Sequence, residues 1–120
     1  MLLWLAAAVA LGLAFVHTFP GGAQMVPPLL KSKDIPEPIK LIHYYCWHIV
    51  TIMLFGLAAA FAYAAYEPTG RILAVVATGI SFMCFAWGYF LVIWKKQRHR
   101  DMPQWMLFLP QTAIGIYALI

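Results

Sequence analysis

Four long apolar stretches, separated by short polar ones, set the pattern of this 120-residue chain. They run from about Met1 to Phe19, Leu41 to Tyr66, Ile72 to Trp94 and Trp105 to Ile120, and none contains Asp, Glu, Lys or Arg. A helix needs roughly 20 predominantly apolar residues to cross a bilayer, with a range of about 17–25. The second and third stretches meet this easily, and the first meets it counting from Met1. The fourth, entered from Pro103 at a first-turn position, crosses only with little tilt or some local thinning. The alternation of a barrel strand is absent, and helices then bond every backbone group internally. The pattern predicts an all-α polytopic membrane protein with a single domain over residues 1–120. Its four transmembrane helices fall at about 1–19, 41–66, 72–94 and 103–120. Short connections make successive helices antiparallel neighbours in a bundle.

The polar intervals refine this. Residues 20–40 read PGGAQMVPPLLKSKDIPEPIK, with five prolines, which predicts interrupted rather than continuous helix. Gly21-Gly22 is expected to end the first helix, and the apolar part from Ala23 to Leu30 to lie in the interface plane or against the bundle. Small residues repeat every four positions at Ala6, Ala10 and Ala14, at Gly56, Ala60 and Ala64, and at Cys84 and Gly88. Such ladders let helix backbones approach closely in lipid. Trp and Tyr residues gather near the span ends as an aromatic belt.

Composition agrees. The chain is 64% hydrophobic and 10% charged, with a mean hydropathy of +0.82. A soluble domain carries roughly 25% charged residues. The first stretch lacks a positive n-region, so it is expected as a retained helix rather than a cleaved leader. The net charge of +4 comes from an uneven distribution. Lys31, Lys33 and Lys40 lie between the first two spans, and Lys95, Lys96, Arg98 and Arg100 between the last two, against Arg71 alone on the other side. The positive-inside rule places both basic loops in the cytoplasm and both termini on the non-cytoplasmic side of a bacterial inner membrane. Anionic lipid headgroups are the expected partners of those seven side chains; nucleic acid is not.

Candidate chemistry is sparse. Cys46 and Cys84 lie in separate spans and form no disulfide framework or C-x-x-C motif; buried Cys acts as a small apolar residue. There is no Ser/His/carboxylate set and no phosphate loop, so no catalytic residue is expected. Asp34, Glu37 and Asp101 are loop carboxylates expected to pair with Lys or Arg. Using a rise of ~1.5 Å per residue, His48 lies about 12 Å deeper than Lys40, Cys84 about 16 Å from Lys95 and Gln111 about 13 Å from Met102. Ionisable residues at such depths mark functional sites by default. His17 and His48, if they face each other, suit a haem b, a copper ion or a quinone carbonyl, with Tyr44 and Gln111 beside them. The alternative is a neutral His bonded to Gln111, a Tyr or a backbone carbonyl, serving only the bundle. A proton relay is disfavoured because no Asp or Glu lies in a span.

His17-Thr18, a Gly, Pro28-Leu29, Trp47-His48 and a last apolar helix after RHRDMPQW together resemble an uncharacterised group of small bacterial four-helix integral membrane proteins. The likeness covers nearly the whole chain. In that group the first His opens an H-S-x-x-G-E motif; here His17-Thr18-Phe19-Pro20-Gly21-Gly22 puts glycine at the Glu position. A weaker likeness, carried by His17, Gly21 and Gly22, is to membrane proteins of the copper resistance D and protoporphyrinogen oxidase types, which implies haem or copper. Two functions are therefore expected. One is a non-catalytic accessory or structural subunit packed against partner subunits in a bacterial membrane complex. The other is a redox protein binding haem b, quinone or copper through His17 and His48.

Overall fold

The structure, a computed structural model, describes residues 1–120 and is all-α. Helix α1 (Leu2–Val16), a π-helical turn (His17–Gly21) and helix α2 (Gly22–Lys31) follow one another without a break. Then come α3 (Glu37–Tyr66), a 3-10 turn (Pro68–Gly70), α4 (Arg71–Trp94) and α5 (Gln104–Leu119). Three rods, Leu2–Lys31, Glu37–Tyr66 and Pro68–Trp94, are long and apolar enough to cross a membrane. The fourth, α5, has 16 residues.

The second, third and fourth helices begin and end within about four residues of the sequence expectation. The first does not stop at Phe19, and Gly21-Gly22 does not end it. Pro20 has no N–H to give to the Val16 carbonyl. The backbone answers by widening for one turn, so that the Gly22 N–H reaches the His17 carbonyl five residues back. Pro27 and Pro28 also stay inside helix. A 30-residue rod is about 45 Å long, whereas the hydrocarbon layer is about 30 Å thick. A rod of this length exceeds that layer by about 15 Å, enough to accommodate the two prolines of α2 beyond it.

Lys40 fixes the turn into α3. Its Nζ donates to the Leu30 and Ser32 carbonyls at 3.3 and 3.2 Å and pairs with Glu37 at 2.6 Å. Only 12% of this side chain is exposed, so its charge is spent on the end of α2 rather than on lipid headgroups. The end of α4 is equally defined. Lys96 has φ 50°; its N–H reaches the Ile93 carbonyl and the Gln97 N–H reaches that of Val92. That is the paired bonding of a Schellman cap, a position that favours glycine.

Neighbouring helices run antiparallel. Along α4 and α5, Trp105 meets Gly88, Gln111 meets Ser81, Gly115 meets Thr78, and the Arg71 guanidinium donates to the Leu119 carbonyl. Along α1 and α3, His17 meets Trp47 and Phe15 meets Phe55. Both chain ends therefore lie at one end of the bundle and both basic loops at the other. The Ala6, Ala10 and Ala14 ladder is fully buried against Leu54, Leu57, Phe61 and Ala64. Gly56, by contrast, faces outward, and a Cβ there would touch nothing. Only 19 of 120 residues are buried, while Ile52, Ile72 and Met83 are each more than 60% exposed. An outer surface this apolar is stable in lipid, not water.

Candidate functional site

At the basic end the helices part to leave a cavity of about 670 Å³. Its floor, reaching into the bundle, is Leu13, Val50, Leu54, Leu107 and Phe108. One wall is built by the π turn and α2, through His17, Gly21, Gln24 and Met25; the facing wall by α3, through His43, Cys46 and Trp47. Arg100, Asp101 and Gln104 form the rim. Arg98 and Arg100 approach Asp101 at 3.4 and 3.7 Å, so the acidic rim residue is already paired, as its loop position suggested. The cavity thus grades from apolar depth to polar mouth.

His17 is the organising side chain. Its ring stacks on Trp47 with centroids 4.0 Å apart and planes 17° from parallel. Its Nε2 lies 3.2 Å from the Trp47 carbonyl. Gly21 packs beside this stack: a Cβ there would press on the Val16 carbonyl oxygen at 3.1 Å and make ordinary contact with the Trp47 ring at 3.6 Å. The Thr18 hydroxyl donates to the Ala14 carbonyl and Thr51 to that of Trp47, which ties the two helices' polar groups to backbone at this level. His43 lies at the mouth with Nδ1 2.8 Å from the Ile39 carbonyl.

The remaining candidates go elsewhere. His48 is exposed on α3 and does not line the cavity; its ring meets Tyr44 edge-on at 4.6 Å. The residue that faces His17 is Trp47, one position and about 100° of helix away from His48. Gln111 is fully buried between α5 and α4, where Nε2 donates to Ser81 Oγ at 3.0 Å and Oε1 has no partner. His17, His48, Tyr44 and Gln111 are therefore not one site. No group of three or more His, Cys, Asp or Glu side chains is arranged to hold a metal ion. Gln24 and Gln104 were not anticipated, since Gln24 fell in a stretch read as irregular and Gln104 in the first turn of a helix. No protein-family model matches this chain, and no curated sequence or solved structure is similar to it.

Proposed function

We propose that this chain is a four-span protein of the bacterial inner membrane, with both ends outside and both basic loops in the cytoplasm, that binds a membrane quinone beside His17. The observation that supports the binding reading is the cavity itself. Its volume falls within the roughly 300–1,000 Å³ of small-molecule sites. Its apolar floor lies among the spans and its polar mouth at headgroup level, which suits a ring with polar substituents on an apolar tail. Of the three ligands that the sequence suggested, copper asks for a converging ligand set, and no group of three or more His, Cys, Asp or Glu side chains converges; haem b was expected between His17 and His48, which do not share the cavity. The quinone–quinol couple asks for one well-placed polar group on an apolar wall.

The test is direct. Purified protein in mild detergent is extracted with solvent and assayed for quinone, and decylubiquinone is titrated in while tryptophan fluorescence is followed, Trp47 being in the wall. Saturable quenching and co-purified quinone are expected. An extract free of quinone together with non-saturating quenching overturns the reading. For the topology, cysteine labelling should reach positions 95–100 only from the cytoplasm.

One observation favours the accessory-subunit reading as a second role. His48 is exposed on a span at a depth of about 12 Å below Lys40, and an imidazole facing hydrocarbon is costly. A helix of a partner subunit would cover it. Migration as a larger complex on native gels, lost in His48→Phe, is the expected result; a monomer from native membranes sinks this role.

A further inference from the structure

Resting on the quinone reading of the cavity, we propose that the site takes the reduced form, with a quinol O–H donating to Nδ1 of His17. The argument is the tautomer. A backbone carbonyl only accepts, so the ring nitrogen 3.2 Å from the Trp47 oxygen, Nε2, must carry the proton. In the neutral ring Nδ1 is then a bare lone pair. It bonds nothing in the protein, and the ring lines the cavity. Moving the proton to Nδ1 would leave Nε2 facing the Trp47 carbonyl lone pair to lone pair and lose that bond.

His43 repeats the arrangement at the mouth. Its Nδ1 donates to the Ile39 carbonyl at 2.8 Å, which leaves Nε2 as an acceptor. The cavity thus presents two imidazole acceptors. An oxidised quinone offers only carbonyl oxygens, and these would meet the imidazoles lone pair to lone pair. A quinol offers two O–H donors. Of the lining donors, Gln24, Arg100 and Gln104 are exposed, where water competes with them. The half-buried Trp47 indole N–H serves a quinone carbonyl and a quinol oxygen alike, so the half-buried His17 acceptor is the group that discriminates between the two forms. A hydroxyl donor on an apolar tail is also the chemistry of a phosphatidylglycerol headgroup, and the test separates the two sources.

The full chain is placed in phosphatidylcholine nanodiscs and titrated with decylubiquinol under reducing conditions and with decylubiquinone under oxidising ones. Quinol is expected to bind about tenfold more tightly, the worth of one net hydrogen bond. Bound quinone should then titrate at a midpoint potential about 30 mV higher than free quinone, since a tenfold ratio is 29.6 mV for two electrons. His17→Phe keeps an aromatic ring over Trp47 but removes the acceptor; the quinol-to-quinone affinity ratio should fall to about one, chiefly through weaker quinol binding. The wild-type ratio and potential need no variant, so a misfolded variant does not blunt the test. Equal affinities, or tighter quinone, overturn this inference and leave the quinone site standing. Saturable binding of neither form removes the site itself. Displacement of bound quinol by a few equivalents of phosphatidylglycerol assigns the acceptors to lipid and likewise overturns it.

Discussion

Gly115→Ala tests how the two C-terminal helices are held together. A Cβ on Gly115 would run into Thr78 Oγ1 and lie 3.0 and 3.2 Å from its Cγ2 and Cβ. Thr78 is buried and branched at Cβ, so rotation cannot clear both of its branches. The helices must separate instead, and the Gln111–Ser81 bond lies one turn along the same seam. Overpacking of this kind costs about 1–3 kcal/mol. Disturbing a buried hydrogen bond adds about 1 kcal/mol or more, while alanine regains about 1 kcal/mol of helix propensity over glycine. The balance is a loss of about 2 kcal/mol. Thr78→Ala removes both clashing atoms and, with them, a buried hydroxyl that has no partner, so alone it should cost less than about 1 kcal/mol. Combined with Gly115→Ala it should restore most of the loss. The assay is reversible unfolding in mixed micelles of increasing dodecyl sulfate fraction, followed by tryptophan fluorescence for the wild type, both single variants and the double. Gly115→Ala unfolding at the wild-type midpoint, or a double variant additive to within about 0.5 kcal/mol, would refute the account of this seam.

Lys96→Gly should stabilise the protein by about 1 kcal/mol, because Lys96 holds a left-handed conformation at φ 50° that glycine adopts freely; the same micelle titration reads it. Ser81→Ala leaves the Gln111 amide buried with neither end bonded and should cost about 1–3 kcal/mol, whereas Ser81→Ala with Gln111→Leu should be close to neutral. Lys40→Met removes the bonds to the Leu30 and Ser32 carbonyls, and hydrogen exchange of residues 22–31 should accelerate while α4 and α5 are unchanged. Cys46, exposed beside the cavity, should react with a maleimide well ahead of half-buried Cys84 in mild detergent, and saturating quinol should slow Cys46 alone.

The spans were legible in the sequence because hydropathy is a one-dimensional signal, and runs such as Ile72–Trp94 carry it without interruption. What hydropathy does not carry is rotational phase. Whether His17 meets His48 or Trp47 depends on one residue of α3, and no polar residue on that helix is regular enough to set the phase. The length of the first rod was missed for a different reason. The rule that prolines break helices assumes that the freed carbonyl has nowhere else to bond and that the helix stays in α register. Here Pro20 is absorbed by a wider turn, and Pro27 and Pro28 are exposed within the last turns of α2. The Lys40 cap was hidden by reading every lysine of that loop as a lipid contact. Gln111 proves fully buried between α4 and α5, but depth along a helix alone could not say that its amide turns to Ser81.

The π turn works as a phase adjuster. A wide turn accommodates one more residue than an α turn over the same rise, so everything beyond Gly21 is rotated by about 100° relative to α1. That rotation is what brings Gln24 and Met25 over the cavity while Ala6, Ala10 and Ala14 stay against α3. The two halves of the first rod are therefore set to different tasks by a single surplus residue. Deleting one residue between His17 and Gly21 would shorten the rod by scarcely a hydrogen bond, yet it would swing the cavity's outer wall toward lipid and leave the core ladder where it was.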